Sequence, residues 1–287
     1  MISGTTRLGA VIGQPIRHSL SPAIVNAAFA AAGLDWAFVA FEVPDGQGAA
    51  AVAAVRTLGL GGLSVTMPHK AVAAEAVDEL TPAAAGLGAV NCVYWQGTTL
   101  CGDSTDGDGF LDALRLDEGV DPAGAACVVV GAGGAGRAVA AALGDAGAAR
   151  VVDVNRAPGP AARAAALAGP VGSVGSPRDV AGADIVVNAT PLGMGVVVAT
   201  DGSEPLPFDV DLLTSGQVIV DLIYDPATTP LLAAAHERGA RTVNGLGMLI
   251  HQAAHAFRRW TSEEPALEAM SAAALKQLAR RSVTDGL

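Results

Sequence analysis

The sequence predicts an α/β protein of two domains, and three observations carry that prediction. Short apolar runs that end in glycine or polar turns alternate with alanine-rich stretches of helical length. The alternation occurs twice, once in the first hundred residues and again from Cys127 onward. The second series opens with Cys127-Val128-Val129-Val130 running straight into Gly131-x-Gly133-x-x-Gly136. Strand and helix alternating in this way favour a mostly parallel sheet covered by helices on both faces.

The elements follow in order. Leu8 to Gly13 is an apolar run closed by glycine and reads as a buried strand. Ser21-Pro22 opens a helix to about Ala32, with serine as N-cap and proline in the first turn, and Gly33 ends it. Trp36–Val43 reads as a second strand, Ala49–Leu58 as a helix and Gly62–Thr66 as a third strand. Pro82–Gly88 is a short helix or turn. Val90–Trp95 and Thr98–Cys101 form a hairpin around Gln96-Gly97, and Asp106–Leu116 is a helix crossing to the next unit. In the second series, strands are expected at Cys127–Val130, Arg150–Val154, Ile185–Asn188, Val218–Leu222 and Thr242–Val243. Helices are expected at Ala135–Asp145, Ala161–Ala168 and Pro230–Arg238. Gly169–Pro177 reads as a loop, and Gly193–Pro207 as a loop long enough to be a mobile lid. Gly247–Trp260 is an amphipathic helix with Met248, Leu249, Ala253, Ala256, Phe257 and Trp260 on one face.

Composition bounds the function. Of 287 residues, 51% are hydrophobic and 16% charged, enough to bury a sizeable core. The formal net charge of −11 disfavours nucleic acid or an acidic membrane surface as partner. A small anionic substrate fits only where backbone N–H groups, hydroxyls or a single lysine receive it. Cys92, Cys101 and Cys127 are too few for a disulfide framework. Met1–Ala10 has no apolar signal region, and the expectation is a reducing cytoplasm.

The glycine loop follows an apolar strand and opens a helix. Glycines there let the backbone turn tightly and approach a pyrophosphate, which the helix N-terminus attracts. The competing reading is a tight helix–strand contact. At the end of the next strand stands Asn155-Arg156, where NAD proteins usually carry an acid for the ribose diol. Arg156 can pair with a 2′-phosphate, so NADP is favoured. Asp153, two residues earlier on the same strand face, argues the other way. Ser19 and Ser21 face one direction in an extended segment and can grip a carboxylate, or Ser21 merely caps its helix. Lys70 follows Pro68 at a strand–helix turn, and Asp106 follows the tight polar turn Gly102–Thr105. Each alone is an ordinary surface charge or cap. As a pair, they can pass a proton to a carbonyl oxygen during hydride transfer. His251 and His255 are four apart on one helix, but Gln252 replaces the catalytic glutamate of zinc helices and no third ligand is evident, so no metal is expected. Gln252 itself is either a satisfied core amide or a substrate ligand.

Together these motifs resemble the shikimate dehydrogenase family across nearly the whole chain. The carriers are Ser19-Leu20-Ser21-Pro22, Ser64–Lys70, Gly88-Ala89-Val90-Asn91, Ser104-Thr105-Asp106-Gly107 and Gly131–Gly136 with Asn155-Arg156. They continue with Asn188–Met194, Asp221–Pro226 and Asn244–Ala253. The resemblance implies reversible NADP-linked reduction of 3-dehydroshikimate to shikimate, a step of aromatic amino-acid biosynthesis. It implies Lys70 as acid/base and Asp106 as the group that holds and polarises it. Ser19 and Ser21 would bind the substrate carboxylate, Thr66, Asn91 and Gln252 the ring hydroxyls, and Tyr224 would lie near the ring. Gly131, Ala132, Gly133, Gly134, Ala135, Asn155, Arg156, Thr190, Gly245 and Met248 would bind NADP. It implies a substrate domain of residues 1–105 and 246–287, to which the C-terminal helices return. It also implies a Rossmann domain of residues 106–245 and an active site in the cleft between the two. The protomer would act as a monomer or homodimer.

Four positions depart from the family pattern. Ser64 and Ser104 stand where asparagine is frequent, Cys92 where threonine is common, and Ala157 lacks a hydroxyl next to Arg156. The alternative within the resemblance is a quinate/shikimate dehydrogenase of relaxed specificity using NAD.

Overall fold

A computed structural model of the chain describes residues 2–195 and 206–284. It divides into two compact units, Met1–Thr105 with Leu249–Leu287, and Asp106–Met248. No described helix is long and apolar enough to cross a membrane.

The first unit starts with β1 (Arg7–Gly13), α1 (Ser21–Ala31), β2 (Trp36–Glu42), α2 (Gly48–Leu58) and β3 (Gly62–Val65). It continues through α3 (Lys70–Ala76), β4 (Glu79–Leu80), α4 (Pro82–Leu87), β5 (Cys92–Gln96) and β6 (Thr99–Asp103). The strands form one sheet in the order β2-β1-β3-β5-β6-β4. β1 runs parallel to β2 and β3, but β5 is antiparallel to both β3 and β6. The hairpin expected around Gln96-Gly97 is present, turning at Gly97, whose φ of +64° a side chain would resist. Ser21 and Pro22 lie inside α1, and the helix is preceded by Leu20 with no side-chain cap, so Ser21 is not the N-cap expected of it.

The second unit contains α5 (Asp106–Asp112), β7 (Ala126–Val130), α6 (Gly134–Asp145), β8 (Arg150–Val154), α7 (Pro158–Leu167) and β9 (Gly172–Val174). It then adds β10 (Ile185–Asn188), β11 (Val218–Asp221), α8 (Pro230–Glu237) and β12 (Arg241–Asn244). Its sheet is parallel throughout, in the order β12-β11-β10-β7-β8-β9. That is the doubly wound order of a Rossmann fold, with its switch point between β7 and β10. The segment expected as loop at Gly169–Pro177 contributes the short edge strand β9. Gly172 lets it form, because a Cβ there would overlap the Ala165 carbonyl. Of the loop expected to be a mobile lid, residues 196–205 lie outside the described residues.

α9 (Leu246–Thr261) carries the chain back, and α10 (Leu267–Thr284) completes the first unit. Their return is fixed by aromatic packing. Phe257 lies 5.4 Å from Phe29, and Trp260 stacks on Phe38 at 5.4 Å. The Trp260 ring covers Gly62, where a Cβ has no room, and its Nε1 donates to the Val93 carbonyl at 3.0 Å. The opposite sheet face is filled by Ala10, Ile12, Leu63, Val65 and Val93 against Val52 and Val55 of α2.

Candidate active site

The glycine loop of the second unit separates fold from ligand binding. Gly131 adopts φ +107°, and a Cβ there would press on the Ala189 backbone at 2.9 Å. A Cβ at Gly136 would overlap the Gly131 carbonyl. Both glycines are required by the protein itself. Gly133 is different: its φ is −73° and nothing lies within 4 Å of where a Cβ would be. The missing side chain leaves the N-terminus of α6 open, with its unpaired N–H groups and positive dipole end. Such a cradle fits a dinucleotide pyrophosphate. The opposing wall is ordered by Asn188, whose Oδ1 accepts from the Thr190 N–H at 3.0 Å and its hydroxyl at 2.7 Å. Asn188 in turn donates to buried Asp221 at 3.0 Å, and Asp221 also accepts from Thr229 at 2.7 Å. Burial raises the Asp221 carboxyl pKa, against the pull of these hydrogen bonds. Gly245 lies against the Leu222 carbonyl with no space for a side chain, Met248 is half-buried against the core of this unit, and Tyr224 is half-buried just past β11.

The turn after β8 is braced by Asn155, which accepts from the Ala132 N–H at 3.3 Å and donates to the Ala157 carbonyl at 3.0 Å. Arg156 is exposed beside it. Asp153 does not compete for a ribose. It is 1% exposed and its carboxylate oxygens have no hydrogen-bond partner among the described residues. Burial pushes its carboxyl up to about 7. Two further arginines border this region, and the sequence reading missed both. Arg163 places Nη1 3.9 Å from the Cβ position of Gly159. Arg137, four residues past Gly133, buries an unpartnered Nε, and its pKa is lowered first by burial and then by the charge of Arg163.

In the first unit, the loops after β1 and β3 are tied by the Gln14 N–H donating to the Met67 carbonyl at 3.0 Å. Ser19 is half-buried, and its Oγ accepts from the Ser21 N–H at 3.2 Å. Thr66 is anchored by its N–H to Ile12 at 2.9 Å. His69 is buried, shares a 2.8 Å hydrogen bond with the Val43 carbonyl and precedes Lys70, the first residue of α3. The Lys70 carbonyl accepts from the Val90 N–H at 2.9 Å, which fixes the backbone beneath the lysine.

The next residue, Asn91, enters a network the sequence reading did not foresee. Its Oδ1 accepts from the Thr105 N–H at 2.8 Å, and its Nδ2 reaches the Thr105 hydroxyl at 3.0 Å and Gln252 Oε1 at 3.5 Å. Thr105, 2% exposed, donates its hydroxyl to the Gln252 carbonyl at 3.0 Å. Gln252 Nε2 donates to Leu249 at 2.8 Å. Asn91, Thr105 and Gln252 are thus one assembly. Ser19 and Ser21 follow β1, at the start of α1, and Thr66 and Lys70 follow β3, at the start of α3, outside that assembly. Asp106 is buried and follows Thr105 directly. Of the departing residues, Cys92 is fully buried, with its thiol pKa raised by burial, Ser104 is buried and Ser64 is half-buried in β3.

Residues 11–93 match the family model of the shikimate dehydrogenase substrate binding domain, and residues 245–275 that of the shikimate 5'-dehydrogenase C-terminal domain. The shikimate dehydrogenase (NADP(+)) of Moorella thermoacetica is 43% identical over 279 residues, covering 94% of this chain and 92% of its own. That of Symbiobacterium thermophilum is 44% identical over 287 residues, covering 96% of each. The crystal structure of shikimate 5-dehydrogenase from Thermus thermophilus, in complex with NADP(H) and shikimate, superposes with a TM-score of 0.85 at 35% identity. The match covers 94% of this chain and 99% of that one. The chain belongs to the shikimate dehydrogenase family.

Proposed function

We propose that the chain catalyses the reversible NADPH-linked reduction of 3-dehydroshikimate to shikimate, with Lys70 and Asp106 as its proton-handling pair. The bound cofactor supplies the hydride that reaches the ketone carbon. Lys70 gives a proton to the ketone oxygen in reduction and takes it from the hydroxyl in oxidation. Asp106 holds the ammonium in line and balances its charge. Asn91 and Gln252 offer amide donors and acceptors to the ring hydroxyls, with Thr66 beside them. Ser19 and Ser21 receive the carboxylate, a neutral hydroxyl grip suited to an acidic protein that must admit an anion. Tyr224 borders the ring. Gly131–Ala135, Thr190, Gly245 and Met248 line the cofactor, Asn155 braces its loop, and Arg156 faces the 2′-phosphate.

The observation that carries this reading is the buried Asn91–Thr105–Gln252 network. It ends at the residue preceding Asp106 and begins at the residue following Val90, whose N–H holds the Lys70 backbone. A core that needed only packing would not concentrate amides there. The test is a spectrophotometric matrix of shikimate and quinate, each with NADP and NAD. Turnover dominated by shikimate with NADP is expected; dominance of quinate with NAD would overturn the assignment.

A further inference from the structure

Asp103, the last residue of β6, is a buried carboxylate, 5% exposed, outside the set of groups assigned to substrate or cofactor. Its Oδ1 accepts from the Thr81 hydroxyl at 2.6 Å and from the Ser104 N–H at 2.8 Å. Its Oδ2 accepts from Arg259 Nε, and also lies 2.8 Å from Arg259 Nη2. Its backbone carbonyl accepts from the Asn91 N–H at 3.0 Å. Arg259 also lies over the Tyr94 ring, 5.3 Å from its centroid. Burial alone would lower the Arg259 pKa. The Asp103 charge, with Tyr94 and the hydrogen bond, holds it above the ordinary value.

Arg259 stands seven residues beyond Gln252 on α9. Seven residues are two turns, so both side chains leave the same stripe of the helix about 10 Å apart. The end of β6 therefore grips α9 at two points, Thr105 to the Gln252 carbonyl and Asp103 to the Arg259 guanidinium. Phe257 and Trp260 seat α9 on the sheet, and the two polar grips add a register along one stripe of the helix, at Gln252 and at Arg259. The same carboxylate also accepts from the Ser104 N–H, and the main-chain carbonyl of Asp103 accepts from the Asn91 N–H.

We propose that the Asp103–Arg259 pair is a positioning clamp for substrate recognition, setting where α9 presents Gln252 to the shikimate ring beside Asn91. This rests on the reading that Asn91 and Gln252 hold the substrate hydroxyls. Its two grips hold α9 at Gln252 and Arg259, both beyond Met248 on that helix, so the larger effect is expected on the substrate side.

The test is steady-state kinetics on the full-length protein, with KM for shikimate and for NADP measured separately for Arg259→Met, Arg259→Lys and Gln252→Ala. Arg259→Met keeps an apolar stem and removes the charged guanidinium that pairs with Asp103 and lies over Tyr94. It is expected to raise KM for shikimate about tenfold, the size of one misplaced hydrogen bond, while KM for NADP stays within about twofold. Arg259→Lys keeps the charge without the planar fork and is expected to fall between wild type and Arg259→Met. Should Arg259→Met fail to fold, Arg259→Lys carries the test, and a selective rise in its KM for shikimate is the expected result. A KM for shikimate unchanged in the folded Arg259 variants, or equal rises for both ligands, overturns the clamp. Gln252→Ala separates the two levels. If it raises KM for shikimate and the Arg259 variants do not, only the clamp falls. If Gln252→Ala itself leaves KM for shikimate unchanged, the substrate reading falls and the clamp with it.

Discussion

The Thr105 hydroxyl donates to the backbone carbonyl of Gln252 across 3.0 Å, joining residues 147 positions apart in the chain. A threonine between two conspicuous polar residues thereby fastens the returning helix to the strand end that leads into Asp106. Thr105→Val keeps the shape and deletes this bond and its partnership with Asn91. The Gln252 carbonyl keeps its helical bond, so the loss is that of one ordinary hydrogen bond, about 0.5–1.5 kcal/mol. The melting temperature is expected to fall and KM for shikimate to rise; thermal melts and initial rates check both.

Lys70→Ala removes the proposed proton donor. kcat is expected to drop by roughly 10²–10⁴-fold, the usual contribution of a positioned acid or base. Cofactor binding, followed by fluorescence titration, should change little. Undiminished kcat would remove Lys70 from the mechanism.

Gly133 and Gly136 belong to one motif but do different work. Gly133→Ala places a methyl in open space, so the melting temperature is expected to hold while KM for NADP rises. Gly136→Ala forces a methyl into the Gly131 carbonyl and is expected to destabilise the fold, with a lower melting temperature or little folded protein. Equal behaviour of the two variants would contradict this division.

Arg156→Ala is expected to raise KM for NADP well beyond KM for NAD, since only the former carries a 2′-phosphate. Arg163→Ala, from the neighbouring helix, should act in the same direction with smaller size. Parallel effects on both cofactors would make these surface arginines only.

Asp153 gives stability a pH dependence of known sign. Its carboxyl titrates near 7 in the folded chain, well above an unfolded aspartate near 3.9. The folded state therefore binds the extra proton between these values. Stability from this group is fully present below about pH 4 and is lost as pH rises towards and through 7. Asp153→Asn is expected to be more stable than wild type at pH 8, with the advantage shrinking towards pH 4. Chemical denaturation at both pH values measures it.

Much of the architecture was legible because it is written locally. The strand into Gly131, the β7–α6–β8 rhythm and the apolar face of α9 each depend on neighbours within a dozen residues. The hairpin at Gly97 was legible for the same reason. Three features were not. α10 is rich in alanine, and only Met270 and Ala274 are fully buried along its described length, so its periodicity has little contrast. β9 is three residues long, and its existence depends on Gly172 meeting a helix carbonyl that no local pattern announces. The Ser21 hydroxyl was expected to cap its helix, but the helix starts one residue earlier than a cap at that position allows. In the candidate site, the residue types were readable and their partners were not. Nothing near Asp103 points to Arg259, 156 positions away, and Thr105 owes its role to Asn91 and Gln252 rather than to its neighbours.

The first unit is interrupted by the whole of the second, and this orders its birth on the ribosome. The sheet of β1 to β6 is translated early, yet the Trp260 ring that covers Gly62 and the arginine that neutralises Asp103 are made only after the whole of the second unit. The second unit, continuous from Asp106 to Met248, has all its strands in hand before then. Vectorial synthesis thus lets the later-encoded unit mature first, while the earlier one waits with an aromatic-sized gap and an uncompensated carboxylate. Chains stalled or truncated before α9 would expose that face, the kind of transiently bared apolar surface that favours aggregation.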